Sequence, residues 1–100
     1  MLVYNVTVTI DSVVHDEWLD WMKRDHIPEV MATGCFTGYR IFKVLAAGSP
    51  GDKTYSIQYA CETLNDYERY RDLYSPALQS EHTAKYGGKF VAFRTLLETV

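Results

Sequence analysis

A histidine near the end of the first predicted helix is the side chain in this sequence best suited to proton transfer. His26 follows Trp18 and Trp21 and precedes Pro28 by two positions, within the segment HIPEVMATGCF (26–36). An unperturbed imidazole titrates near neutral pH, so His26 could act as a general base. A histidine at this place can equally stabilise the carboxyl end of a helix or pack in the core. The pattern therefore leaves a catalytic and a structural interpretation open.

The other reactive side chains form no recognisable catalytic or metal-binding motif. His15, His26 and His82 lie far apart and lack the short spacings typical of zinc sites, so we predict no metal ligands. Cys35 and Cys61 are too few for a disulfide scaffold and are interpreted as reduced thiols. No glycine-rich phosphate loop is present, and no cofactor is expected. Both His15, at the start of the first helix, and His82, on the second, are expected to face solvent.

The composition predicts one soluble, cytoplasmic domain that spans residues 1–100. The chain has 47% hydrophobic residues and 23% charged residues, which is sufficient for one core and argues against disorder. Its formal net charge of −3 disfavours nucleic acid as a partner, because phosphate binding needs a basic surface. The amino-terminal residues do not resemble a signal peptide, and no apolar run approaches the ~20 residues that cross a membrane.

Hydrophobic periodicity predicts four strands and two helices that would position these residues. Alternation with period two indicates strands at 2–10, 35–45, 54–62 and 89–100, with one helix between the first two and another between the last two. Thr63 and Asp66 resemble a capping box at the start of the second helix. The segment 46–53, rich in glycine and proline, is predicted to be a hairpin turn. Pro28 and Pro76 are expected to stop, kink or break their helices.

The order β-α-β-β-α-β predicts an α+β, ferredoxin-like fold, in which two helices cover one face of a four-stranded antiparallel sheet. The even residues of the first strand would face the helices. The opposite face, which we call the open face, carries a mixture of small, polar and aromatic side chains. We assign to it Val3, Asn5, Thr7 and Thr9 of the first strand, Ser56, Gln58 and Ala60 of the third, Phe90, Ala92 and Arg94 of the fourth, and, with ambiguous parity, Arg40 and Phe42 of the second.

Three interpretations of the open face are possible: a solvated surface, an RNA-binding surface, or a contact with a second copy of the chain. RNA binding is disfavoured by the acidic charge and because the third strand lacks the expected aromatic signature. A mixed, flat face suits a twofold dimer. We therefore predict a homodimer whose interface includes Thr7, Gln58, Phe90, Arg94 and Arg40.

Three segments of the chain resemble a small bacterial family of unknown function. They are HDEWLDWMKRDHIPEVMATGCFTGYRIFKV (15–44), TYSIQYACETLNDYERY (54–70) and GGKFVAFRTLLE (87–98). More distantly, the chain is similar to the dimeric α+β barrel superfamily, which includes EthD-like proteins, antibiotic-biosynthesis monooxygenases and muconolactone-isomerase-like enzymes. Several members carry an aromatic residue, a histidine, a proline and a glycine in the pattern formed here by Trp21, His26, Pro28 and Gly34.

This resemblance implies a ligand cleft between the helices and the sheet, with His26 as the candidate catalytic base. The implied ligand-binding residues are Trp18, Trp21, Met22, Tyr59, Tyr67, His82 and Tyr86, with Tyr4 and Val6 beside them. An apolar pocket with a few polar tips suits a small aromatic or polyketide-like molecule, which the protein would bind or transform. The alternative is a non-catalytic, dimeric structural or regulatory module whose tryptophans and tyrosines fill the cleft.

Overall fold

The computed structural model describes residues 1–45 and 51–100. Its elements in chain order are β1 (Leu2–Asp11), a 3₁₀ turn (Ser12–Val14), α1 (His15–Trp21), a π-helical turn (Met22–His26), α2 (Ile27–Ala32), β2 (Gly38–Lys43), β3 (Asp52–Cys61), α3 (Leu64–Arg69), a second π-helical turn (Tyr70–Tyr74), α4 (Ser75–Tyr86) and β4 (Phe90–Glu98). Most of the predicted 46–53 turn, residues 46–50, lies outside the described residues. Among the described residues, no helix is both long and apolar enough to cross a membrane.

The four strands form one antiparallel sheet in the order β2-β3-β1-β4. In this order β1 lies between β3 and β4, and β2 and β4 are the edge strands. The predicted α+β, ferredoxin-like fold is therefore confirmed. The register places Val6 opposite Ile57 of β3 and opposite Arg94 of β4. Residues opposite each other share a face, so this register decides which side chains meet the helices.

Of the stop, kink or break predicted at each proline, the structure shows an interruption of the regular α-helix by a π-helical turn, after which the chain continues as a new α-helix. The N–H of Ile27 donates to the carbonyl of Met22, and the N–H of Ser75 donates to that of Tyr70, five residues earlier in each case. A proline ring clashes with the carbonyl four residues before it, and the wider π turn relieves this clash. Such turns are rare and frequently lie at functional sites.

The predicted cap of the second helical region is confirmed in part. The N–H of Asp66 donates to Thr63 Oγ1 at 3.1 Å, as an N-cap requires. The Thr63 hydroxyl donates to the Asp66 carboxylate at 2.9 Å. The carboxylate thus bonds the capping hydroxyl, where a full capping box would reach the backbone N–H of Thr63.

The core lies between the helices and the even-numbered residues of β1, as predicted. Leu2, Tyr4, Val8 and Ile10 are all buried there. The side chains with the largest volume that are fully buried come from both layers, namely Trp18, Ile10, Ile27, Ile57, Val8, Val30 and Cys61. Their burial holds α1 and α2 against the sheet, because apolar area removed from water is the main favourable term in folding.

The predicted side-chain parity of β4 is wrong by one residue. Phe90 pairs with Ile10, and Arg94 pairs with Val6, so both lie on the helix-covered face. The Phe90 ring stacks on His82 of α4, with 4.0 Å between the ring centroids. The expectation that Phe90, Ala92 and Arg94 belong to the open face is therefore corrected. A shift of one position moves every side chain of a strand to the other face.

The open face carries a polar centre between apolar edges. Asn5 of β1 donates to Thr7 Oγ1 at 3.0 Å and accepts from the Ser56 hydroxyl at 2.6 Å. The exposed apolar side chains on the flanking strands are Phe42 of β2 and Val91, Phe93 and Leu97 of β4. Thr7, Gln58 and Arg40 lie on this face, where they were predicted.

Candidate functional site

A narrow cleft opens between the helices and the sheet at the first π turn. Its walls come from both layers, and the lining residues are Tyr4, Val6, Val8, Met22, His26, Val30, Ile57, Tyr59, Tyr70, Leu78, Gln79, His82 and Arg94. The centre of a water-sized sphere can occupy only about 20 Å³ of it, which is room for about one water molecule. The cleft is therefore closed to a larger molecule unless side chains at its mouth move.

His26 ends the first π turn and lies at the cleft with one ring nitrogen unpaired. Its Nδ1 is buried and has no hydrogen-bond partner among the described residues. The imidazole packs against Trp21 at 4.9 Å and against His82 at 5.5 Å between ring centroids. Burial, with a smaller effect of the Arg94 charge, lowers the pKa of His26 to about 4. The ring is therefore neutral at physiological pH and can accept a proton.

His82 is buried, and the expectation that it faces solvent is wrong. The side chain is 4% exposed, and its Nε2 accepts a hydrogen bond from the Trp18 indole at 3.0 Å. Its ring also stacks on Phe90, the residue whose strand parity was misassigned. Burial, followed by the charges of His26 and Arg94, lowers the pKa of His82 to about 4. Because Nε2 accepts, the proton of this neutral imidazole resides on Nδ1.

His15 also differs from its prediction, because its side chain is only 12% exposed. Its Nδ1 lies 2.8 Å from the Asp16 carboxylate and its Nε2 lies 2.6 Å from the Tyr55 hydroxyl. The residue does not line the helix–sheet cleft. The hydrogen bond with Tyr55 joins the start of α1 to β3 and provides a structural role for His15.

Three tyrosines bring their rings to the cleft. These are Tyr4, Tyr59 and Tyr70. The ring centroid of Tyr4 lies 6.0 Å from that of Tyr59 and 5.5 Å from that of Tyr70. Burial raises the pKa of Tyr59 and of Tyr70, so their hydroxyls stay protonated. Burial also raises the pKa of Tyr4, although the Arg94 charge opposes this rise. The tyrosines therefore offer flat apolar surfaces and neutral hydroxyls.

The predicted ligand-binding residues divide into two groups. Met22, Tyr59 and His82 line the cleft together with His26. Trp18, Trp21, Tyr67 and Tyr86 are not among its lining residues and pack around it. Tyr67 stays near Tyr4 at 5.5 Å between centroids, and Tyr86 meets Trp21 edge to face at 5.5 Å.

Seven of the lining residues were not predicted, namely Val8, Val30, Ile57, Tyr70, Leu78, Gln79 and Arg94. Leu78 and Gln79 follow Pro76 on α4, and Arg94 was assigned to the wrong face of β4. Leu78 continues the helical spacing of Tyr67, Tyr70 and Tyr74, and this spacing could have indicated it. For Arg94 the strand pattern carried no usable signal.

His26 and His82 lie close together but form no metal centre by themselves. No third histidine, cysteine, aspartate or glutamate joins them in a group of three anywhere in residues 1–45 and 51–100. A structural zinc site has four ligands and a catalytic site has three protein ligands. The pair is therefore two ligands at most, next to the positive charge of Arg94.

The whole chain, residues 1–100, matches the family described as a domain of unknown function, DUF4286. The chain belongs to this family. No curated protein matches it. The predicted resemblance to a family of unknown function with ferredoxin-like relatives is thus confirmed.

Solved structures share the fold of this DUF4286 protein at low sequence identity. It is similar to HapK from Hahella chejuensis, at 9% identity, a TM-score of 0.73 and coverage of 100% of this chain and 93% of the other. A dimeric ferredoxin-like protein from an uncultured marine organism is 12% identical, with a TM-score of 0.71 and coverage of 100% and 95%. An ethyl tert-butyl ether D (EthD) family protein from Bacillus halodurans is 10% identical, with a TM-score of 0.68 and complete coverage of both chains. At these identities the likeness supports the fold.

Proposed function

We propose that the helix–sheet cleft binds a small aromatic molecule and that His26 exchanges a proton with it. The observation that carries this proposal is the buried Nδ1 of His26, which lies beside the cleft and has no hydrogen-bond partner within residues 1–45 and 51–100. A buried polar atom without a hydrogen-bond partner costs about 1–3 kcal/mol, so buried polar atoms in folded proteins nearly always have one. A bound molecule would supply the partner that His26 Nδ1 lacks among the described residues. Tyr4, Tyr59 and Tyr70 supply the aromatic walls that a flat ligand would contact.

The pKa of about 4 keeps the His26 imidazole neutral at pH 7, so one ring nitrogen has a free lone pair, and it makes this imidazole a weaker base than an unperturbed one. A neutral imidazole accepts a proton and can return it to another atom of the same ligand, which is the requirement for an isomerisation or an enolisation. His82, locked by the Trp18 N–H, would hold the His26 ring in place and would not itself exchange the proton.

A second function, a non-catalytic dimeric module, is favoured by the small size of the cleft. The cleft has room for about one water molecule, as expected if packed side chains have filled it. In that case the unpaired Nδ1 of His26 would bind a single water molecule. The two functions differ in whether a molecule larger than water enters beside His26.

A thermal-shift screen with aromatic acids, quinones and flavins separates these two functions. We expect a binder to raise the unfolding temperature of the unchanged protein and of His15→Gln, and to have a much smaller effect on His26→Gln. His15→Gln is the matched control, because it removes an imidazole outside the cleft. Equal stabilisation of all three proteins would exclude His26 from the binding site. Absence of any stabilisation would favour the non-catalytic module.

We propose further that two copies of the chain associate through their open faces. The support is the exposed apolar side chains at the two edges of this face: Val91, Phe93 and Leu97 on β4 are 69%, 64% and 42% exposed, and Phe42 on β2 is 44% exposed. Monomeric proteins rarely leave large contiguous apolar patches in water. Two of the similar structures are described as dimeric ferredoxin-like proteins. Thr7, Gln58 and Arg40 would contribute the polar contacts of this interface.

Phe93→Glu is expected to convert the protein from a dimer to a monomer. The substitution places a charge in the apolar part of the proposed interface, where an unpaired buried carboxylate is strongly unfavourable. Sedimentation equilibrium at micromolar concentration should give twice the chain mass of 11.5 kDa for the unchanged protein. It should give the chain mass for Phe93→Glu. Leu73→Glu, at an exposed leucine that precedes α4, is the control and should remain dimeric. A monomeric unchanged protein would contradict the proposal.

A further inference from the structure

We infer that the helix–sheet cleft selects an aromatic carboxylate, which the Arg94 guanidinium anchors at the cleft mouth. This inference rests on the proposed function of the cleft and adds the chemical class of its ligand. It follows from the position of Arg94, from the charges around it, and from the groups that could complete the contact.

The position of Arg94 follows from the register of β4. Arg94 lies opposite Val6 on the helix-covered face and lines the cleft with Tyr4 and His26. Arg94 is exposed although it lines the cleft, so its guanidinium lies at the boundary between the cleft and solvent. The charge is close enough to the interior to lower the pKa of both His26 and His82.

The charge of Arg94 has no counterpart among the cleft residues. No aspartate or glutamate of the described part of the chain lines the cleft. The ion pairs within residues 1–45 and 51–100 do not include Arg94. An arginine fork bonds a carboxylate through two parallel N–H donors, and this geometry is stronger and more specific than a neutral contact. A ligand that brings its own carboxylate supplies the missing charge.

Two neutral groups can complete the contact with such a ligand. Gln79 lines the cleft, and its amide nitrogen donates one proton to the Ser75 hydroxyl, so its second proton can donate to a carboxylate oxygen. The unpaired Nδ1 of His26 can carry the ring proton and donate it in a hydrogen bond, or accept one. The cleft thus combines one cation with neutral donors.

The walls below these polar groups favour an aromatic body over an aliphatic one. Tyr4 stacks near Tyr59 at an interplanar angle of 27°, and its ring lies 5.5 Å from that of Tyr70. Flat rings that already pack in stacked and tilted pairs can take a further ring in the same manner. Admission requires the side chains of Leu78 and Gln79 to move, because the closed cleft holds about one water molecule.

Isothermal titration with 2-naphthoate and its neutral isostere 2-naphthamide tests this inference. Both probes have the same ring system, and only the naphthoate carries a charge. We expect the unchanged protein to bind naphthoate at least about tenfold more tightly than naphthamide. The preference should fall below about twofold in Arg94→Gln and should persist in part in Arg94→Lys, which keeps the charge and loses the fork. Arg71→Gln, at an exposed arginine that pairs with Asp72, is the matched control and should retain the preference.

The outcomes separate this inference from the proposed function. If naphthamide binds as tightly as naphthoate, the cleft takes an aromatic ligand but does not select its charge, and the inference is overturned alone. If Arg94→Gln keeps the full preference, Arg94 is not the anchor and the inference is also overturned. If neither probe binds at roughly 1 mM, the inference and aromatic binding in the cleft are overturned together.

Discussion

Acidification from pH 7 to pH 5 is expected to destabilise this protein through two buried histidines. His26 and His82 each have a pKa of about 4 in the folded chain, compared with 6.5 as the ordinary value. The unfolded chain therefore binds more protons than the folded chain between these two values. The free energy of unfolding is greatest above pH 6.5 and falls as the pH drops toward 4. Each histidine should contribute a loss of roughly 2 kcal/mol by pH 5, since one pKa unit corresponds to about 1.4 kcal/mol.

Urea unfolding followed by circular dichroism at pH 7, 6 and 5 measures this effect. The protomer concentration must stay constant, because a dimer links stability to concentration. His26→Leu replaces the imidazole with an apolar side chain of similar bulk and removes one titrating group, so it should reduce the pH dependence by about half. A free energy of unfolding that does not change between pH 7 and pH 5 would show that neither histidine is held neutral by the fold.

Trp18→Ala is expected to lower the free energy of unfolding by about 3–5 kcal/mol, which is typical of a buried aromatic residue replaced by alanine. Trp18 is fully buried and its ring lies 5.5 Å from that of Tyr55. Its indole N–H also pairs with His82 Nε2. The substitution leaves a cavity beneath α1 and removes the only donor that His82 Nε2 has among the described residues. The loss is measured by urea unfolding at pH 7 under the conditions given above.

Trp18→Phe is the matched control for the hydrogen bond. It retains an aromatic ring in the core but cannot donate to His82, so the expected loss is about 1–3 kcal/mol, less than for alanine. If Trp18→Ala lowers the free energy of unfolding by less than about 1 kcal/mol, Trp18 does not hold α1 on the sheet. If Trp18→Phe is as damaging as Trp18→Ala, the hydrogen bond to His82 outweighs the packing.

The alternation of residue types along β1 determined which face of this strand is buried. Leu2, Tyr4, Val8 and Ile10 alternate with smaller or polar residues, and a period of two can bury only one face of a strand. Together with the order of the elements, this pattern predicted the sheet and the side of it that the helices cover. The prediction that His26 lies at a cleft between the helices and the sheet came from the resemblance to the dimeric α+β barrel superfamily.

The tertiary structure alone decided which face of β4 meets the helices. The segment FVAFRTLLE has apolar side chains at both odd and even positions, so its periodicity does not distinguish the two faces. Pairing with β1 places Phe90 and Arg94 inward and leaves Val91 and Phe93 on the open face. This register moved Arg94 from a predicted interface to the cleft.

The burial of His82 and the π-helical turns before Pro28 and Pro76 were likewise beyond the sequence pattern. His82 is buried because Phe90 and Trp18, which are distant in sequence, reach it from two other elements. The π turns form because packing on the sheet stabilises a helix that proline alone would interrupt. Periodicity reports which side of an element is apolar, whereas the partners that cover a given side chain depend on contacts between elements far apart in the chain.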